Sequence, residues 1–404
     1  MNGINETELG ALPKNWEIKH LKDIILDSVG GGTPSTKVKA YWDGDIHWTT
    51  SKRLSDKLYL MDGEKRISNQ ALESTSTKLV PSGNVIVSTR VTVGKAMVNK
   101  INIAISQDLT GLFIDKQHYL PEFVAYQLKT EQIQSIFESQ KRGATIKGIT
   151  REDLENIPLL CPPFSEQGKI VRVLWLIQSA IETQENIIQT TTELKKALMQ
   201  KLFTEGLNGE PQKETEIGLV PKSWEVVGLR DVFELTSGKT RPAELMSMPK
   251  NGCIYPVYGG NGVLGYSKKN LIDFKTIVLG RVGAYCGNVY LTDNKSWISD
   301  NALYAKVFLR ECDLYYLSVA LKGLNLNRLR NTGGQPLISQ SIVYSQKIAF
   351  PKIDEQIEIA KTLEQTDKKI NMAIEKKNVL QSLFKSMLHH LMTGQIRVKD
   401  LRFS

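Results

Sequence analysis

The side chains of this sequence best suited to act on another molecule are cations, hydroxyls and amides set in glycine-rich loops. In the first half these loops are GGTPSTKVKAYW from Gly31, TTSKRL (Thr49–Leu54), STRVTVGK (Ser88–Lys95) and KRGATIKG (Lys141–Gly148). In the second half they are SGKTRP (Ser237–Pro242), YGGNGVLGYSKKN (Tyr258–Asn270), LGRVGAYCGN (Leu279–Asn288) and LNRLRNTGGQ (Leu326–Gln335). Glycine lets backbone amides approach phosphates, Lys and Arg neutralise them, and Arg, Asn, Gln, Ser and Thr read base edges. Any one such loop is equally a solvated turn, but several in each half point to DNA. The candidate contacts are Thr33, Ser35, Lys37, Lys52, Arg53, Arg90 and Lys147, then Lys239, Arg241, Tyr258, Asn261, Lys268, Arg281 and Arg330.

Catalytic motifs are missing from the sequence. GKA at Gly94–Ala96 is no P-loop, which would need glycine at Thr89 and a hydroxyl residue at Ala96. CPPF at Cys161–Phe164 differs from the N-P-P-F/Y motif of adenine-amino methyltransferases, because Cys161 offers no side-chain carbonyl to orient an amine. Its two prolines are better suited to opening a helix. His389 and His390 are adjacent, so they point to different helix faces and cannot share a metal as an i, i+4 pair. No catalytic residue and no metal ligand set is expected.

The 404 residues exceed one ordinary core and suggest two or three domains. A net charge of +9 suits a polyanionic partner without marking a basic tail. The longest apolar run, Val173–Ile177, is too short to span a membrane. The opening MNGINETELG lacks a signal-peptide layout, so a cytoplasmic location is expected. Cys161, Cys253, Cys286 and Cys312 are far apart, which suits a reducing compartment and no zinc site.

What must position the loops is a repeat. ETELGALPKNWEIKHLKDI (Glu6–Ile24) returns as ETEIGLVPKSWEVVGLRDV (Glu214–Val232), with about half the positions identical, including Pro13 with Pro221 and Trp16 with Trp224. The bodies that follow share a weaker skeleton: Ile86–Val98 parallels Ile277–Tyr290 with Arg90 and Arg281 in register, and ISQD (Ile105–Asp108) parallels ISDN (Ile298–Asn301). Short β-branched runs read as strands, and Pro121–Gln140 and Glu311–Leu324 read as helices. The chain is therefore one unit of about 200 residues written twice, each an α+β body.

Each body is followed by a proline-led segment, CPPFSEQ or FPKIDEQ, and a helix of about 40 residues, a rod of roughly 60 Å. Ser165 and Asp354 are the expected N-caps, with a glutamate in the first turn. Ile170, Leu174, Ile177, Ile181, Ile188, Leu198 and Leu202 form a 3-4 ladder completed by Gln184, Thr191 and Lys195. Ile359, Leu363, Ile370, Leu380, Phe384, Met387 and Leu391 form a second, completed by Thr366, Ala373 and Lys377. One seam shared about a pseudo-two-fold axis predicts antiparallel helices with a body at each end. The polar rungs hint that other helix faces meet partner helices, although solvent-facing drift of the heptad is equally economical. The expected division is a first recognition domain at 1–163, a spacer helix at 164–207, a second domain at 208–352, and a spacer helix with tail at 353–404.

The repeated T-E-I/L-G-x-x-P-x-x-W-E, the P-P-x-x-E-Q helix start and GGTPSTKVKAYWDGDIHWTTSKRL resemble the specificity subunit of type I restriction-modification systems over nearly the whole length. YPVYGGNGVLGY resembles a second common type of target-recognition domain. FPKIDEQ departs from the pattern by carrying Lys352 where the first copy has Pro163, which should alter the helix start only slightly. The resemblance implies an α+β fold of two target-recognition domains separated by an antiparallel coiled coil, with a pseudo-two-fold internal repeat. It implies a non-catalytic subunit that reads double-stranded DNA with a bipartite asymmetric target. The partners it implies are two modification subunits carrying S-adenosylmethionine, and restriction subunits using ATP and Mg, with no cofactor in this chain. The competing expectation is a coiled-coil adaptor whose end domains bind proteins.

Overall fold

The computed structural model describes residues 4–7, 10–143, 147–331 and 336–398. The chain divides into two compact units, Met1–Asn186 with Ile374–Ser404, and Ile187–Ala373. The long helices run Phe164–Glu205 and Ile353–Met392, so each unit holds part of both.

The heptad ladders are real. On the first helix Ile170, Leu174, Ile181, Gln184 and Leu202 are buried, while Ile177, Ile188, Thr191, Lys195 and Leu198 are half-buried. On the second, Ile359, Leu363, Thr366, Ala373 and Leu391 are buried and Ile370, Lys377, Leu380, Phe384 and Met387 half-buried. In the first unit Ile170 and Leu174 share a core with Leu388, Leu391 and Met392. In the second, Leu202 shares one with Ile359 and Leu363. Within each unit the start of one helix thus meets the end of the other, so the pair is antiparallel.

Two of the polar rungs, Lys195 and Lys377, are paired across the seam. Lys195 Nζ lies 2.5 and 2.6 Å from the Asp367 carboxylate oxygens, and Tyr315 donates its hydroxyl to the same group. Lys377 Nζ lies 3.1 Å from Glu185. Each of these two lysines is closed by a carboxylate of the facing helix.

Neither expected N-cap holds. The first helix opens at Phe164, and the N–H groups of Glu166 and Gln167 donate to the Pro163 carbonyl at 2.8 and 3.1 Å. In the second, Glu355 and Gln356 donate to Lys352 at 3.1 Å each, so the Pro-to-Lys departure leaves the start unchanged. Backbone geometry caps both helices, which places Ser165 and Asp354 inside the first turn. The glutamine does the anchoring. Gln167 Oε1 accepts from the Leu120 N–H at 3.0 Å and its amide donates to Pro162 and His118 carbonyls at 3.1 and 3.2 Å. Gln356 repeats this with the Asp313 N–H at 3.0 Å and the Pro351 carbonyl at 2.9 Å.

The two bodies share a four-strand core. In the first unit the order is Ile25–Gly30, Leu109–Ile114, Val85–Ser88, Ala96–Asn99, extended by Tyr59–Leu60. In the second it is Phe233–Ser237, Ala302–Phe308, Ile277–Gly280, Val289–Leu291. Val85, Val87 and Leu112 bury one face against Phe123, Tyr126 and Phe137 of the helices that follow. These are two helices, Pro121–Leu128 and Glu131–Gln140, rather than the single one expected. A second sheet differs between the units: four strands ordered Lys65–Ile67, Ile46–Thr49, Ile103–Ile105, Lys78–Val80, against three ordered Gly262–Ser267, Tyr255–Gly259, Trp297–Ile298. The α+β fold class stands, and the copies diverge most in this second sheet.

Candidate nucleic-acid interface

In the first unit, backbone bonds link the candidate loops into one rim. Gly31 and Gly32 donate to Leu109 and Ile105 at 3.3 and 2.9 Å, and Ser106 donates to Thr49 at 3.0 Å. Thr33 Oγ1 bonds the Gln107 side chain. Thr89 and Arg90 both donate to the Asp108 carbonyl, at 2.9 and 3.3 Å, and Val91 donates to Lys147 at 3.3 Å. Thr33, Lys52, Arg53, Arg90 and Lys147 are thereby brought to one edge, all exposed. Ser35 and Lys37 sit in the adjoining loop, which the Trp42 indole pins by donating to the Ser35 carbonyl at 3.2 Å. Among the described residues no hydrogen bond or ion pair engages the side chains of Lys37, Lys52, Arg53, Arg90 or Lys147. Free cations on an ordered backbone are what a polyanion needs.

The second unit repeats the linkage with other side chains. Gly238 and Lys239 donate to Ala302 and Ile298 at 3.1 and 3.0 Å, Ser299 to Tyr258 at 2.8 Å, and Arg281 to Asn301 at 2.9 Å. Gly283 donates to Pro336 at 2.8 Å. Lys239, Arg241, Asn261 and Arg330 are exposed. The centres of two loops, 144–146 and 332–335, lie outside the described residues.

Two expectations need correction. Arg90 and Arg281 are not equivalent: Ile149 donates to Thr89 as Ile338 does to Arg281, and Gly94 donates to Ser88 as Gly287 does to Gly280. The structural partner of Arg281 is Thr89, and the loop of the second unit is one residue longer. An alignment of matching letters slid by one residue across that insertion. The two arginines also differ in state, since Arg281 Nη1 donates to Ser237 Oγ at 3.0 Å while Arg90 is exposed.

Tyr258 is buried, packed with Ile272, Val278 and Ile298, and burial raises its hydroxyl pKa above the usual range. It supports the rim from beneath. Lys268 stands at the far end of the strand Gly262–Ser267 from Asn261, about 20 Å away. There it pairs with Glu244 at 3.4 Å.

Sequence reasoning also missed residues. Gln107, Asp300 and Asn301 are exposed on the two rims, and Asp108 is half-buried there. The ISQD/ISDN pair was visible as a repeat, but its acidic and amide letters carried no cationic signal. Beside the first rim Lys65 Nζ stands 5.0 Å from the Trp42 ring centre, with Lys39 and Arg66 at the same groove. Trp42 itself meets Trp48 edge-on at 5.1 Å.

The sequence model of the Type I restriction modification DNA specificity domain matches residues 13–193 and 221–382, once in each half. The chain belongs to this family. It is 25% identical to the Type I restriction enzyme MjaVIII specificity subunit of Methanocaldococcus jannaschii, covering 97% of this chain and 95% of that one. It is 26% identical to the EcoprrI specificity subunit of Escherichia coli, over 93% and 95%. The MjaIX specificity subunit of Methanocaldococcus jannaschii matches at 30% identity, over 59% of this chain and 56% of its own length. The crystal structure of the type I restriction-modification S subunit from M. genitalium superposes with a TM-score of 0.70 at 17% identity, over 94% and 96% of the two chains. The specificity-domain fold is thus present in tandem.

Proposed function

We infer that this chain is the non-catalytic, DNA-reading subunit of a type I restriction-modification complex, with each unit reading one half of a bipartite, asymmetric target. The observation that carries the reading is a hydrogen-bonded rim in each unit that presents exposed cations with no partner among the described residues. The rims differ in loop length and side chains, so their half-sites differ in sequence. Two modification subunits bearing S-adenosylmethionine methylate adenine in the half-sites, and restriction subunits add ATP- and Mg-dependent cleavage. Exposed apolar side chains on the long helices, Leu176, Leu194, Met372 and Val379, supply surface for such partners. Among the described residues no helix is long and apolar enough to cross a membrane, and the site of action is the cytoplasm, where the DNA is.

The test is binding to duplex DNA over a salt series, followed by mapping of methylated adenines in a random-sequence pool with a type I modification subunit present. Counterion release predicts affinity that falls steeply with salt. A two-part motif with a fixed gap supports the reading, whereas salt-independent or absent DNA binding with retained protein partners would favour an adaptor.

A further inference from the structure

Val91 holds a backbone conformation that its side chain disfavours. Its φ is +64°, and Thr92 donates to the Arg90 carbonyl at 2.8 Å across it. This is a three-residue turn of the rare positive-φ hand, strained for a residue with a Cβ and most for a β-branched one. The loop is fixed from every side: Ser88 Oγ bonds the Thr92 carbonyl, Val91 donates to Lys147, and Arg90 to Asp108.

The strain is not offset by packing, because Val91 is 60% exposed. The equivalent position in the second unit is Gly283, with φ +85° and no atom within 4 Å of where a Cβ would stand. The backbone there takes the residue that suits it. In the first unit the equivalent position carries an exposed valine between the free cations Arg90 and Lys147. Strain that the fold over-determines and does not use internally marks a contact with something that arrives.

Resting on the DNA-reading function above, we propose that Val91 is a specificity-determining residue whose methyl groups meet the C5 methyl of one thymine in the half-site read by the first unit. The major groove exposes that methyl, and apolar contact is how a side chain distinguishes it. Arg90 and Lys147 hold flanking phosphates or base edges and set the depth of the loop.

The experiment uses the full chain in complex with its modification subunits on the motif mapped as above, with deoxyuridine replacing each thymine of the first half-site in turn. One replacement should weaken wild-type binding about fourfold, the effect of losing contact with one methyl group. Val91→Gly should bind the thymine and deoxyuridine sites equally and melt at a higher temperature, as the strain is gone. Val91→Ser keeps a side chain at the turn but removes both methyl groups, and should also lose the discrimination. Discrimination that persists in both variants, or a wild type indifferent to every replacement while still methylating its motif, overturns the role of Val91 alone. A wild-type complex with no motif overturns the DNA-reading function and this role with it.

Discussion

Trp16 Nε1 donates to Glu166 Oε2 at 3.2 Å across 150 residues of chain. Trp224 does the same to Glu355 at 2.9 Å in the second unit. The repeated W-E lead-in and the repeated E-Q helix start are therefore two halves of one joint. In each unit the lead-in strand also pairs with the strand before the long helix, Glu17–His20 with Pro158–Cys161, and Glu225–Gly228 with Lys347–Phe350. The joint fixes where each long helix leaves its body.

The first joint has a further member. Arg397 grips Glu166 with two bonds of 2.7 and 2.8 Å, while Glu355 instead accepts the Leu207 N–H at 3.0 Å. Glu166 is 4% exposed and carries a full charge pair. Glu166→Gln removes the charge partner of the Arg397 guanidinium, leaving it the Asn15 side chain at 3.0 Å, and should cost about 1.5–3 kcal/mol in denaturant unfolding. Glu355→Gln keeps only one of the two oxygens that accept from Leu207 and Trp224 but breaks no ion pair, and should cost about 1 kcal/mol. Equal losses at the two sites would contradict this account of the joint.

The seam makes a second comparison possible. Lys195–Asp367 is partly sheltered and its carboxylate also takes the Tyr315 hydroxyl, whereas Lys377–Glu185 stands alone. Double-mutant cycles should give a coupling of about 1 kcal/mol for the former and a few tenths for the latter. A stronger coupling at Lys377 would show that the tyrosine does not orient Asp367.

Where the sequence was legible, a physical period made it so. The ladders Ile170 to Leu202 and Ile359 to Leu391 were readable because a two-helix seam demands one side chain every 3.5 residues. The lead-in repeat was readable because both copies build the same tryptophan–glutamate joint. The rim was legible only in composition. Which loops meet depends on pairings such as Asp108 with Thr89, which no local pattern announces. Tyr258 carried the letter of a base-stacking residue and turned out to be core, since strand alternation in YPVYGGNG is too short to assign a face. The one-residue offset at Arg90 shows how an insertion in a glycine-rich loop defeats matching by letters.

The two arginines should part company on substitution. Arg90→Ala removes an exposed side chain with no internal bond, so stability should stay within about 0.5 kcal/mol while the salt slope of DNA binding drops by about one. Arg281→Ala also frees Ser237 and should lower both binding and melting temperature. Lys268→Ala should leave the methylated motif unchanged. A shifted motif in that variant would return Lys268 to the interface.

Lys129 gives the protein a pH signature. Burial, with the Lys95 ammonium adding to it against the pull of Asp56, pushes the Lys129 pKa down to about 8. Its ammonium donates to the Asp56 and Lys57 carbonyls at 3.0 and 2.8 Å. A cation disfavoured in the folded state means that the unfolded chain binds more protons between about pH 8 and the ordinary lysine value of 10.5. This residue's contribution to stability should therefore rise with pH across that window, by about 3 kcal/mol in total. Comparing wild type with Lys129→Met isolates it, and parallel pH curves for the two proteins would contradict the assignment.

The central claim is that each unit reads its own half-site, and exchange of one recognition body tests it most directly. Replacing Gly30–Pro163 with the corresponding segment of a specificity subunit of different target, then mapping adenine methylation in a random-sequence pool, should change one half of the motif. The other half and the gap between them should stay as they were. A change in both halves, or in neither, would contradict the two-reader account.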